Sequence, residues 1–139
     1  MAQTIDDVMT RNPYTLDHGE SLTNAARVMR DQHIGDVVVT DGERVCGIVT
    51  DRDITVRAVA EGNDIAQMKI GDICNHDLTT IAPTTSVDEA VRIMREKALR
   101  RLPVVTGDRA VGIVSIGDLA LQQDPRSALA DISKAAPNS

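Results

Sequence analysis

Aromatic residues are nearly absent: the 139-residue chain has one tyrosine, Tyr14, and neither tryptophan nor phenylalanine. Any core must therefore be built from Val, Ile, Leu, Met and Ala, and a base-stacking platform for single-stranded nucleic acid is excluded. A basic surplus is missing too. Lys and Arg number 15 against 21 Asp and Glu, a net charge of −6. That is the wrong sign for a phosphate-backbone footprint, so no nucleic-acid partner is expected. No apolar run approaches membrane-spanning length, and the start, Met1 to Asp7, has neither a basic n-region nor an apolar h-region. No membrane association and a cytoplasmic location are expected.

Cysteine is scarce as well. Cys46 and Cys74 form no C-x-x-C pair and read as reduced thiols, one facing the core from a strand, the other beside the opening turn of a second repeat. His18, His33 and His76 show no ligand spacing with one another or with the cysteines, so no metal is expected.

What the chain does have is a seven-residue stretch written twice, Gly47-Ile48-Val49-Thr50-Asp51-Arg52-Asp53 and Gly112-Ile113-Val114-Ser115-Ile116-Gly117-Asp118. The offset of 65 residues holds without a gap from Ile5/Ile70 to Ile54/Leu119, and 15 of those 50 pairs are identical, where chance gives roughly three. The chain is an internal duplication. Copies of about 55 residues are too small to bury a generous core alone and too few for a solenoid, which predicts one pseudo-symmetric body.

The order of elements is similar in both copies. Thr4–Met9 and Lys69–Cys74 read as single helical turns, followed by short extended segments at Tyr14-Thr15-Leu16 and Thr79-Thr80-Ile81. Ser21 and Ser86 open helices, the second through a predicted capping box with Glu89. Leu22, Ala25, Ala26 and Met29, like Val87, Ala90, Val91 and Met94, recur at i, i+3, i+4, i+7 and are predicted core. Val37-Val38-Val39 and Leu102-Pro103-Val104-Val105 read as covered strands, with Pro103 at an edge or bulge. Asp41-Gly42 and Gly107-Asp108 then turn the chain into Arg44–Val49 and Arg109–Val114. Final helices are predicted over Asp51–Ala60 and Ile116–Gln123, and a short tail helix over Ser127–Ala135. Each copy is thus strand, helix, strand, strand, helix, a mixed α/β (α+β) class.

In each seven-residue stretch a strand runs into the first turn of a helix, where unpaired N–H groups and the positive dipole end favour anions. An ionised Asp there can accept two hydrogen bonds from a ribose diol, while the Thr or Ser hydroxyl and the helix N–H groups take a phosphate. The other reading makes Asp53 and Asp118 first-turn acids placed by the dipole, and spacing alone leaves both open. A hydrolase using the two acids as general acid and base is disfavoured, because no nucleophile–His–acid set or P-loop accompanies them. No catalytic residue is expected.

The repeated stretch resembles the G-h-x-[T/S]-x-x-D signature of CBS domains, and the chain from about Asp7 to Asp124 resembles a tandem CBS pair, or Bateman module. The Val-Met pattern of the opening turn, the S-x-x-E-A-x-x-x-M helix at Ser86–Met94 and the run Arg100-Arg101-Leu102-Pro103-Val104-Val105 carry the likeness with it. By this resemblance residues 7–60 are repeat one, 61–70 a linker, 71–124 repeat two and 125–139 a tail, similar to small stand-alone bacterial CBS proteins. The two β-α-β-β-α repeats would pack with pseudo-twofold symmetry and leave two clefts for adenosine-type ligands, each drawing on both repeats. One would use Thr50, Arg52 and Asp53 with Thr80, Leu99, Arg100 and Arg101. The other would use Ser115 and Asp118 with Thr15, His33, Ile34, Gly35 and Asp36.

The residues themselves make these sites unequal. The first can gather Arg52, Arg100 and Arg101 near a phosphate, whereas the second has Gly117, Gly35 and Asp36 at the matching places and His33 as its one cation, so weaker phosphate binding is expected there. The resemblance implies a non-enzymatic regulatory module that senses AMP, ADP, ATP or a related adenosyl compound and signals to an unidentified protein target. The competing expectation is an interaction or structural adaptor with vestigial clefts. A homodimer formed through helices is also implied; the apolar faces Leu22–Met29 and Val87–Met94 serve that reading and packing within one chain equally.

Overall fold

The computed structural model describes residues 3–74 and 78–123; the predicted tail helix over Ser127–Ala135 lies outside them. A 3₁₀ turn at Ile5–Asp7 is followed by β1 (Thr10–Arg11), β2 (Thr15–Asp17), α1 (Leu22–Gln32), β3 (Asp36–Asp41) and β4 (Arg44–Thr50). Then come α2 (Asp51–Asp53), 3₁₀ turns at Ile65–Gln67 and Ile70–Asp72, α3 (Val87–Lys97), β5 (Arg101–Thr106), β6 (Arg109–Ser115) and α4 (Ile116–Gln123). The helix expected over Asp51–Ala60 is a single α turn that widens into a π turn at Ile54–Val59, with Ala60 N–H donating to Thr55 O at 2.9 Å.

The chain forms two compact units, and the copies exchange their opening turns between them. One unit is Tyr14–Leu78; the other joins the described residues up to Pro13 to those from Thr79 onward. Equivalent hydrogen bonds make the exchange. Ile70 N–H donates to Glu20 O, Gly71 N–H to His18 O and Leu22 N–H to Met68 O, as Ile5 N–H does to Thr85 O, Asp6 N–H to Pro83 O and Val87 N–H to Gln3 O.

In the first unit the sheet order is β2-β3-β4, with β2 parallel to β3 and β3 antiparallel to β4. In the other it is β1-β6-β5, all antiparallel, with Ile81 adding one parallel bridge to Val104 on the outer edge of β5. A proline explains why the second copy's first strand shrinks from the expected Thr79-Thr80-Ile81 to one bridge. Val38 N–H donates to Tyr14 O at 3.0 Å, but the matching residue is Pro103, which has no N–H to give. Pro103 still accepts from Ile81 N–H at 3.1 Å, so it sits at an edge as expected.

Each sheet is covered by its own helices around its own aliphatic core. Leu22, Ala25 and Met29 pack with Val37, Val39, Val49, Ile70 and Cys74; Val87, Ala90 and Met94 pack with Ile5, Leu102, Val104, Val114 and Leu119. The apolar faces of α1 and α3 are therefore used within the units rather than held out for a second chain. Ala26 departs from the expected pattern: it is exposed, and Val28 is the residue that turns inward. The capping box predicted for α3 is half formed. Ser86 Oγ accepts from Glu89 N–H at 3.1 Å, but the Glu89 carboxylate bonds Arg92 rather than reaching back. A guanidinium four atoms from the backbone is a better partner for an exposed carboxylate than a neutral N–H.

Both long helices end in a left-handed residue that is not glycine, His33 (φ 56°) and Ala98 (φ 55°), each donating its N–H to the helix at Met29 and Met94. Both hairpins turn on a left-handed glycine, Gly42 and Gly107, as the sequence indicates. Gly112, which heads the second seven-residue stretch, has a different reason to be glycine. A Cβ there would stand 2.9 Å from Thr10 O and 2.5 Å from Met9 Sδ, so the opening strand crosses directly over its bare face.

Cys46 and Cys74 are not joined in a disulfide. Burial pushes Cys74 up to about 11, with Cys46 and Asp53 adding to the rise and Arg57 opposing it; burial also raises Cys46. Neither is a thiolate at neutral pH.

Two measurements check this packing. Gly112→Ala must displace β1 or strain β6, and should lower stability by about 1–3 kcal/mol in urea unfolding; an unchanged midpoint would remove the close crossing. In Ellman titration of the native protein Cys74 should stay unreacted and Cys46 react slowly, with both reacting at once in denaturant.

Candidate functional site

Each seven-residue stretch closes on itself. Thr50 Oγ1 accepts from Asp53 N–H at 3.1 Å while Asp53 Oδ2 accepts from Thr50 N–H at 2.9 Å. In the second copy Ser115 Oγ accepts from Asp118 N–H at 3.2 Å and Asp118 Oδ2 from Ser115 N–H at 2.9 Å. The hydroxyl and the acid three residues later thus form a reciprocal cap that satisfies two orphan donors at the start of α2 and of α4. The structural reading of the two acids is therefore realised. It engages only Oδ2 of each carboxylate, and each oxygen of an ionised Asp has more than one acceptor position. Both acids are half-buried rather than turned out into solvent.

The other oxygens differ between copies. Asp53 Oδ1 lies 3.8 Å from Arg57 Nε, one helical turn on, and Arg57 also donates to Ile73 O at 3.3 Å. Arg57 was not among the expected site residues, although the D-x-x-x-R spacing signals an i,i+4 pair. The matching position of the second copy is Gln122, so no cation stands four residues after Asp118 in the sequence.

Strand pairing brings each cap to the turn that precedes its own hairpin. Asp36 is paired with Thr50, and Asp51 N–H donates to Gly35 O at 3.0 Å; Arg101 is paired with Ser115, and Ile116 N–H donates to Arg100 O at 2.9 Å. The parallel register sets Thr15 opposite Val38, and Ile81, next to Thr80, opposite Val104. The same sheet end in the first unit therefore collects Thr15, Ile34, Gly35, Asp36, Thr50, Arg52 and Asp53, with His33 capping the helix that leads in. In the other unit it collects Thr80, Leu99, Arg100, Arg101, Ser115 and Asp118. Thr15, His33, Arg52 and Arg100 are exposed; Ile34, Gly35, Asp36, Thr50, Thr80, Leu99, Arg101 and Ser115 are half-buried.

Leu99 also lines an open apolar cleft of about 280 Å³ between α3 and α4, with Val91, Met94, Arg95, Ile116, Leu119 and Ala120. Ile116 is 52% exposed there, and on the turn after α2 Val56 and Val59 are 44% and 54% exposed. Sequence reasoning also missed a cluster at the far end of β2, where Asp17, His18 and Asp41 meet. Spacing among histidines and cysteines gives no sign of it, because the parallel pairing of β2 with β3, across the α1 crossover, brings Asp41 alongside. Among the described residues no helix is long and apolar enough to cross a membrane.

Comparison with known proteins identifies the family and the fold. The CBS domain model matches residues 5–59 and 70–122. CBS domain-containing protein YhcV of Bacillus subtilis is 33% identical over 134 residues, covering 94% of this chain and 95% of the relative. Hypoxic response protein 1 of Mycobacterium tuberculosis is 32% identical over 133 residues, covering 95% and 92%. Among solved structures, a signal-transduction protein with CBS domains from Burkholderia ambifaria superposes with a TM-score of 0.82 at 27% identity, over 90% of this chain and 96% of that one. The CBS domain pair of protein MJ0100, solved with 5-methylthioadenosine and S-adenosyl-L-methionine, superposes with a TM-score of 0.81 at 22% identity, over 91% and 100%. Two matched domains over most of the length, together with the doubled strand-to-helix cap, place the chain in the CBS-domain family as a tandem CBS pair.

Proposed function

We propose that this CBS pair is a regulatory, non-catalytic sensor of adenosine-containing ligands, AMP, ADP, ATP or a related adenosyl compound. The observation that carries the proposal is the state of the two acids: half-buried at a helix N-terminus, each fixed by one oxygen and retaining acceptor positions for a ribose diol. CBS pairs are generally regulatory and often bind adenosyl ligands, and the reading is supported by the MJ0100 pair, which was solved in complex with two of them. By the family likeness each cleft draws on both repeats, with Thr50, Arg52 and Asp53 joined by Thr80, Leu99, Arg100 and Arg101, and Ser115 and Asp118 by Thr15, His33, Ile34, Gly35 and Asp36. A ligand that contacts both repeats binds one relative arrangement better than another, and this differential affinity is what converts occupancy into a signal.

The copies predict unequal affinity. Three arginines serve the first cleft, where Arg57 lies beside Asp53 as well; the second has His33 alone and suits a less charged ligand. The exposed apolar residues Val56, Val59 and Ile116 suit a homodimer formed through helices that α1 and α3 do not supply. A protein-interaction adaptor is the second reading, favoured by one observation: the caps satisfy themselves without a ligand.

Asparagine substitution separates the two readings. Asp53→Asn and Asp118→Asn keep an oxygen for the cap but replace the other acceptor by a donor, so stability should change little. Nucleotide affinity measured by calorimetry should fall at least tenfold at the altered cleft, and Arg101→Ala should weaken phosphate-bearing ligands at the first cleft alone. For the unaltered chain, ligand at a hundred times its dissociation constant should add about 2.7 kcal/mol of stability. No shift with any adenosyl compound would favour the adaptor.

A further inference from the structure

The far end of the first unit's sheet carries a feature that the second copy lacks. There β2 ends in Asp17, His18 follows it, and Asp41 closes β3, so that one ligating atom of each lies within 4.8 Å of the other two. His18 Nε2 is 3.4 Å from Asp41 Oδ1 and 4.0 Å from Asp17 Oδ1. A good N–H···O bond ends near ~3.2 Å, whereas two ligands at ~2.0–2.1 Å from one tetrahedral ion stand about 3.3–3.4 Å apart. We propose that Asp17, His18 and Asp41 form a surface site for a divalent transition-metal ion of the zinc type.

The backbone presets the geometry. His18 N–H donates to Thr40 O at 2.8 Å and His18 O accepts from Gly71 N–H at 2.9 Å, so the residue is tied on both sides. A Cβ at residue 71 would stand 3.4 Å from His18 Nδ1; the Nδ1 edge of the ring therefore lies against Gly71 and the Nε2 edge faces the two carboxylates. Asp17 is held by Gly19 N–H on Oδ1 at 2.9 Å and Gly42 N–H on Oδ2 at 3.2 Å. These outer bonds orient the ligand and leave it further acceptor positions, as supporting bonds do at metal centres.

Duplication supplies an internal comparison. The residues 65 positions on are Ala82, Pro83 and Thr106, so the imidazole and both carboxylates are present together in one copy and missing together from the other. The fold does not require them. An imidazole nitrogen with two carboxylates suits zinc and its neighbours rather than calcium or magnesium, which prefer oxygen alone. Three protein ligands leave a fourth position to water.

Titration of Zn²⁺ into the metal-free full-length protein tests the site. One ion per chain is expected, with at least tenfold weaker binding in His18→Gln and in Asp41→Asn, both exposed positions whose chelated melting curves should match the unaltered chain. His33→Gln and Cys46→Ser should bind as before, and Ca²⁺ should not compete. In long-range ¹⁵N–¹H spectra, His18 Nε2 should shift on zinc addition. No zinc uptake, uptake unchanged in both site variants, or uptake lost only in the His33 or Cys46 variants would overturn the proposal.

Discussion

The reciprocal bonds between a hydroxyl and the acid three residues later are the constraint on which the rest depends. They fix where each second hairpin strand stops and a helix starts, at Thr50–Asp53 and at Ser115–Asp118. A cap of this kind contributes about 1 kcal/mol, modest as stability but decisive as geometry. It holds a carboxylate half-buried at the positive end of a helix with an oxygen to spare. Because strand pairing carries Gly35–Asp36 and Arg100–Arg101 to the same sheet ends, the cap is also the point around which every candidate ligand residue of its unit is grouped.

Exchange of the opening turns makes the two copies interdependent. Neither copy's helix is fully capped by its own segment: Leu22 N–H bonds Met68 O and Val87 N–H bonds Gln3 O. The chain's duplication is thus completed only when each half lends its first turn to the other. Against that shared frame the differences stand out as additions or losses at single positions. Pro103 removes a ladder bond that Val38 makes, Arg57 adds a cation that Gln122 does not, and Asp17, His18 and Asp41 have no counterparts.

Much of this was legible in the sequence because it is written in local chemistry. The serines that open α1 and α3, the left-handed hairpin glycines and the apolar stripe from Val87 to Met94 each follow from neighbours within a turn or two. The signature acids were legible as residues to watch, although their capping role and their ligand-binding role share one spacing. What the sequence hid is non-local. The traded opening turns, the bare face of Gly112 under Thr10, the inward turn of Val28 in place of Ala26, and the meeting of Asp41 with Asp17 and His18 all depend on which segment crosses which.

A crystal structure of the full chain with bound adenosine nucleotide tests the central claim most directly. The account predicts ribose hydroxyls within hydrogen-bond distance of Asp53 or Asp118, with the Thr50 and Ser115 caps intact beneath them. A nucleotide seated away from both acids, or an acid that leaves its cap to reach the sugar, would contradict it.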